Sequence, residues 1–483
     1  MMRITTNGVF RGYRTDLSKS YFKFSKSMTK VTTQRNFNAY AEDVSAASRA
    51  FQLRRSHWRA ETQINNSNYV ISKFETAWSA IDYIVDGEGA EDNLNSIVES
   101  LRGLNDAAGS ARNALGQSVL AKAESIVRLL NTQYGDQFIF AGADGRNVPF
   151  TWEKDPSTGE TYLAYRGVDV SAPRPIMSLD EFKSHIKLTS SQEVNYDPEE
   201  QGNPPRTYSC WKFDFDDGLL AQGFTLDAAD AGVFFNYHEG EEVDGDHMYA
   251  SEEEAYEAAR TAYQSFLDDE DAITAAYNEY LRQFDANVEY QKYTHDSGLS
   301  PSAYYQQLVD MSQEATYVDI GIGVEWDENG DLIPTSAYNS ALNGLSFLGF
   351  GSTIGDDGEL RSNNLAVLMM EMGNMLKDCD STTGKWPEGW DTDRVSALTK
   401  AIESSVNDIT VEHIRLSNET NFLQTNLIQL TAQCDNLNTQ ILDIEQIDPA
   451  DAITEYMYAR YAYNAALSVG SSILTNTLLD YLR

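Results

Sequence analysis

Eight apolar residues, Val395, Ile402, Ile409, Leu416, Leu423, Leu430, Leu437 and Ile444, recur seven apart without a miss, and no other feature restricts the fold of this chain as much. Four positions after each of the first seven runs a more polar row: Thr399, Val406, His413, Thr420, Leu427, Cys434 and Ile441. The heptad predicts a long helix in a left-handed coiled coil with at least one partner helix. At 1.5 Å per residue the rod would be roughly 80 Å long. Unpartnered, it would leave its seam in water at roughly 1.5–3 kcal/mol per large side chain.

Partners are available at the other end of the chain. From Phe10 a stripe with steps of three and four runs through Tyr13, Leu17, Tyr21, Phe24, Met28 and Val31, which predicts one amphipathic helix. A second helix is expected from about Glu42 to Val85, stopped by Gly87-Glu88-Gly89, and a third from about Asp92 to Gln133. After Pro449 a last helix carries Ile453, Tyr456, Tyr463, Leu467, Leu474 and Leu478 on one face and Tyr458, Ala462, Ala465, Val469 and Ile473 on another. Apolar residues on two faces imply burial on two sides, and a terminus of that kind packs against other subunits. The two ends are therefore expected to fold together.

The middle is of another kind. Phe138-Ile139-Phe140-Ala141-Gly142 is an apolar run stopped by glycine. Thr151–Glu153 and Thr161–Arg166 flank Asp155-Pro156-Ser157-Thr158-Gly159 as a hairpin. A second hairpin is predicted to join Tyr317–Trp326 to Leu332–Tyr338 through Asn329-Gly330. Between them lies an acidic, aromatic-rich insert with a helical pair at about Glu252–Leu267 and Asp271–Tyr290. Length fits about three domains at roughly 150 residues each.

Charge narrows the partners. Across 483 residues the formal net charge is -38, which repels phosphate backbones and anionic lipid, so neither nucleic acid nor a membrane is an expected partner. Hydrophobic content is 41%, enough for a sizeable core. Cys210, Cys379 and Cys434 are odd in number and without CxxC spacing, which indicates neither a disulfide framework nor a zinc site. No apolar run follows the starting Met-Met-Arg, so no secretory signal is expected.

No catalytic chemistry is expected. His238-Glu239-Gly240-Glu241-Glu242, with His247 beyond, lacks the second histidine of a His-Glu-x-x-His helix, and its glycines oppose a helix. Asp327-Glu328-Asn329-Gly330-Asp331 lacks the spacing of a calcium loop and reads as a turn. His413 reads as a packing residue, and His57, His185 and His295 have no partner spacing. No catalytic, cofactor-binding or metal-ligating residue is assigned.

Both ends resemble the flagellin superfamily. Met2-Arg3-Ile4-Thr5-Thr6-Asn7 is similar to the family's opening, and Leu478-Leu479-Asp480-Tyr481-Leu482-Arg483 to its ending. In the stretch Thr32-Thr33-Gln34-Arg35-Asn36-Phe37 to Glu42-Asp43-Val44, Gln34 and Val44 replace the family's glycine and proline, so that turn is shaped differently. Phe138–Gly142 followed by Val148-Pro149-Phe150 resembles the hook-filament junction group, hook-associated protein 3. Asp319-Ile320-Gly321-Ile322-Gly323 and Gly344–Gly351 are similar to clostridial-type members of that group. The likeness covers roughly 1–170 and 315–483; the insert at about 175–310 lies outside it.

The resemblance implies a flagellar structural protein, an adaptor at the hook-filament junction or, as the alternative, a filament-forming flagellin. A flagellin displaying an enzymatic insert is a third reading, opposed by the missing His-Glu-x-x-His. It further implies export without a cleaved signal peptide to an extracellular place in the flagellum. Its partners would be further copies of itself, a neighbouring hook-associated protein, flagellin and an export chaperone. The expected fold is mainly α: an elongated, discontinuous helical rod or coiled coil from both termini, with β hairpins and an α+β acidic insert. The expected segments are 1–136 and 391–483 (flagellin-like helices), 137–174 and 315–390 (hairpin regions) and 175–314 (the insert). Subunit-interface residues would be Phe10, Tyr13, Leu17, Tyr21, Phe24, Met28, Tyr456, Tyr463, Leu467, Leu474, Leu478 and Leu482, with the heptad row Val395 to Ile444 as the seam.

Overall fold

The structure, a computed structural model, describes residues 6–87, 93–104, 108–156, 158–175, 179–195, 206–226, 233–235, 249, 252–295, 297–355 and 359–481. Among these the chain is mainly helical. The longer helices are α1 (Thr6–Thr33), α2 (Val44–Val85), α3 (Leu94–Arg102), α4 (Gly109–Leu130), α5 (Glu252–Asp268), α6 (Glu270–Ala286), α7 (Pro301–Ser312), α8 (Leu365–Lys377), α9 (Thr392–Glu445) and α10 (Pro449–Tyr481). The strands form small antiparallel ladders. These are β1 (Gln133–Tyr134) with β2 (Gln137–Phe138); β3 (Phe150–Lys154), β4 (Thr161–Tyr165) and β5 (Val168–Asp169); and β6 (Ile186–Asn195), β7 (Arg206–Phe215) and β8 (Val233–Phe235). Then come β9 (Tyr317–Val318), β10 (Tyr338–Asn339), and the pair β11 (Ser352–Ile354) and β12 (Leu360–Ser362).

The chain divides into two compact units, one of Met1–Ser72, Val318–Tyr338 and Glu419–Arg483, the other of Lys73–Tyr317 and Asn339–Asn418. In the first, the turns between α1 and α2 and between α9 and α10 clasp each other. Asn36 donates its backbone N–H to the Glu445 carbonyl at 2.8 Å and its side-chain amide to Ile444 and Gln446 carbonyls at 3.0 and 2.8 Å. Ile447 N–H returns a bond to the Gln34 carbonyl at 3.2 Å. These bonds satisfy backbone groups that two helix ends would otherwise leave open. Arg54 pairs with Glu445 beside them. The 318–338 segment lies on both long helices: Gln63 and Asn66 donate to Asp319, and Asn426 donates to the Ile320 carbonyl at 2.6 Å.

In the second unit the front of α9 buries Val395, Leu398, Ile402, Val406, Ile409 and Leu416, while the end of α2 buries Phe74, Ala77, Ile81 and Ile84. Trp78 stacks on His413 at 5.1 Å, so His413 is a packing residue. The heptad row continues in the first unit with Leu423 and Leu430 buried and Leu437 and Ile444 half-buried.

Three elements depart from the sequence reading. The third helix is broken into α3 and α4. Gly103 ends α3, its N–H bonded to the Glu99 carbonyl at 3.3 Å. Gly109 opens α4 where a Cβ would stand 2.2 Å from the Asp380 carbonyl oxygen. That close approach is a tertiary demand that no helical period announces. The hairpin around Asn329-Gly330 forms in part: β9 pairs with β10 at its base and Trp326 bridges Leu332 next to the turn, but between them a 3-10 turn at Pro334–Ser336 interrupts the ladder, where proline cannot donate. The insert holds two paired ten-residue strands, β6 and β7, beyond the helical pair expected there. Its Phe213 and Phe215 bury with Phe182, Phe224, Phe266, Tyr280 and Phe284 in an aromatic core under α5 and α6. The expected hairpin at Thr151–Arg166 does form, Phe150 opposite Tyr165 through Lys154 opposite Thr161.

Candidate subunit interface

α10 starts at Pro449, where the missing N–H costs nothing, and Asp448 accepts the Ala450 N–H at 2.7 Å. Its inner stripe steps by four and three through Ala452, Tyr456, Ala459, Tyr463, Ala466 and Gly470. Small residues alternate with tyrosines, so α1 can come close and the rings fill the gaps. Phe24 of α1 stacks on Tyr463 with centroids 5.6 Å apart and planes 7° from parallel, and it meets Tyr456 at 5.6 Å. Tyr21 meets Tyr463 at 5.6 Å, Tyr13 donates its hydroxyl to the Ala466 carbonyl at 3.0 Å, and Lys30 pairs with Glu455 at 2.9 Å. Gly470 lies under Tyr13, where a Cβ would stand 1.9 Å from the hydroxyl.

The residues expected at the interface thus divide. Tyr13, Phe24, Tyr456 and Tyr463 join the two terminal helices of one chain, with Leu17 half-buried on the same helix. Phe10, Tyr21, Met28 and Leu467 keep 41%, 56%, 50% and 43% of their surface in solvent. The side chains of Leu474 and Leu478, and all of Leu482, lie outside the described residues.

The second face of α10 is open. Tyr458 is 73% exposed, Tyr461 61% and Val469 54%, with Ala462 and Ala465 between them. From Tyr461 to Leu479 the helix carries no charged residue. Phe22 of α1 and Phe51 and Trp58 of α2 are exposed as well. Single exposed apolar residues are ordinary; here three large ones share one face of α10, which carries no charge from Tyr461 to Leu479. Covering each large side chain is worth roughly 1.5–3 kcal/mol. Among the described residues no helix is long and apolar enough to cross a membrane.

One polar constellation went unseen in the sequence. His295, held at a left-handed φ of 47°, sits between two buried carboxylates, Nδ1 at 2.6 Å from Asp155 and Nε2 at 2.8 Å from Asp169, and stacks on Tyr162 at 3.7 Å. Each ring nitrogen faces a carboxylate oxygen, and the imidazolium is the form that donates to both, while burial pushes the Asp169 pKa up against the hydrogen bonds of His295 and Ser171 that lower it. Burial pushes the His295 pKa down, but the hydrogen bonds and charges of Asp169 and Asp155 outweigh it and hold the value above the ordinary histidine range. Neither nitrogen has a free lone pair, so in this arrangement the ring fastens its loop to the β3–β4–β5 sheet and cannot act as a base. These residues lie 126 and 140 positions apart, and no local spacing could have shown them. His185 likewise meets Asp216 at 3.0 Å. The His238–His247 stretch lies outside the described residues.

No protein-family profile matches the chain, and none of the curated proteins is similar to it in sequence.

Proposed function

We propose that this chain is a structural subunit of the bacterial flagellum, an adaptor at the hook-filament junction that acts through its two helical ends. The observation that carries the reading is the open apolar face of α10 on a helix already packed on its other side by α1. A helix with one face docked at home and a second, apolar face in water suits a place between copies in a layer. On this reading the terminal helices form an elongated rod whose heptad seam is a coiled coil, with the insert at its outer end. Function is then contact with neighbouring copies, with an adjoining hook-associated protein and with flagellin, and no bond is made or broken. The subunit travels unfolded through the flagellar export channel, and a chaperone covers the last helix until assembly. The resemblance of residues 1–170 and 315–483 to the junction group supports the same placement.

Co-sedimentation with isolated hook fragments tests it, using the chain and a triple variant, Tyr458→Asp, Tyr461→Asp and Val469→Asp. All three sites are exposed, so the variant folds, and it is expected to stay in the supernatant while the parent pellets with hooks. A parent that ignores hooks sinks the flagellar reading. A variant that pellets like the parent removes this face from the interface.

A further inference from the structure

Charge in the first unit is sorted by helix, and the sorting bears on which surfaces of two copies meet. Residues 1–72 hold twelve Lys and Arg against four Asp and Glu, in a chain whose net charge is -38. Residues 419–483 hold eight acidic residues against two basic, and 318–338 hold five acidic and none basic. A few of these charges meet at home: Lys30 with Glu455, Arg54 with Glu445, and Arg59 with Asp319. Others stay in solvent. Arg11, Arg14, Lys23, Arg35, Arg49 and Arg55 are exposed and form no ion pair with a described residue. The same holds for Asp435, Asp443 and Asp451 on α9 and α10.

We infer that subunits join by opposite charge: the basic face of α1 and the first half of α2 of one copy seats on the acidic α9–α10 face of the next copy. The inference rests on the self-assembly proposed above and adds its partner surface and orientation. Three features favour a second copy as the occupant. Both signs are present on one unit, so a row of copies neutralises itself without another protein. The unpaired charges are flanked by exposed apolar residues on each side, Phe22, Phe51 and Trp58 beside the basic set and Tyr458 and Tyr461 beside the acidic one, which is the mixed make-up of a protein interface. An α1 face of like sign on two copies would repel, so same-face pairing is disfavoured. Single exposed ion pairs contribute little; matched arrays steer approach and fix which faces meet.

Charge reversal in two complementary sets provides the test. One full-length variant carries Arg14→Glu, Lys23→Glu and Arg55→Glu; the other carries Asp435→Lys, Asp443→Lys and Asp451→Lys. Circular dichroism and thermal unfolding establish that both fold. Assembly on isolated hook fragments is followed by light scattering and sedimentation. Each variant alone presents like charges at both faces and is expected to raise the concentration needed for assembly at least about tenfold, since 1.4 kcal/mol is a factor of ten. An equimolar mixture is expected to assemble as the parent does, because the acidic first face of one variant meets the basic second face of the other. The parent's assembly should also weaken as sodium chloride screens charges beyond about 10 Å at 0.1 M. Folded variants that each assemble like the parent, or a mixture that stays inert, would overturn the inference. A parent that never assembles would count against the proposed function itself.

Discussion

Replacing His295 with glutamine removes the cation between Asp155 and Asp169 while keeping a donor of similar reach. One side-chain amide can satisfy one carboxylate, and the other loses its charged partner and keeps a backbone donor, the Thr158 N–H on Asp155 at 2.9 Å or the Ser171 N–H on Asp169 at 2.8 Å. His295, Asp155 and Asp169 side chains are 11%, 5% and 3% exposed, so solvent relieves little of that charge. Breaking a buried pair in this way costs about 3–5 kcal/mol, and the lower end applies because one hydrogen bond survives. The folded-state pKa of His295 lies above its unfolded value. Its contribution is therefore fully present below about pH 6.5 and is lost as pH rises through the raised folded value. Above that value the neutral ring donates once, as glutamine does, and parent and variant converge. Urea unfolding at pH 6 should separate their midpoints by roughly 1–3 M at slopes of about 1–3 kcal/mol/M, and at a pH above the raised folded value most of the gap should close. A gap that is the same at both pH values, or none at pH 6, would refute the imidazolium clamp.

Other substitutions have expected outcomes of their own. Leu416→Ala empties a heptad site that is 1% exposed and should cost about 2–5 kcal/mol; Leu437→Ala, at a half-buried site of the same row, should cost clearly less, and thermal unfolding of the pair reads the difference. Gly470→Val drives a branched side chain into the Tyr13 hydroxyl; limited proteolysis should then cut α1 at least several times faster while the insert core keeps its protection. Gly330→Ala adds a Cβ at a φ of +87° with open space around it, so only backbone strain of roughly 1–2 kcal/mol opposes it, and the fold seen by circular dichroism should not change.

The helical ends were legible because their demands are local. A seven-residue period, a three-and-four stripe and Pro449 predict α9, α1 and the start of α10 to within a few residues. Both faces of α10 are visible as apolar stripes, and the signal for which one packs on α1 is the alternation of Ala452, Ala459, Ala466 and Gly470 with two tyrosines. Trp211-Lys212-Phe213-Asp214-Phe215 alternates as a half-buried strand does, which is a local signal for β7. The break at 103–109 and the His295 clamp are different. Each depends on a group far along the chain, Asp380 for Gly109 and Asp155 with Asp169 for His295, and nothing within a helix turn of either residue signals it.

Negative-stain electron microscopy of the purified chain, with and without isolated hook fragments as seeds, bears most directly on the role assigned to the helical ends. A short layer capping one end of the hooks, with no growth beyond it, is the expected result. Long filaments would make the chain a flagellin, and bare hooks beside dispersed monomer would contradict the flagellar assignment altogether.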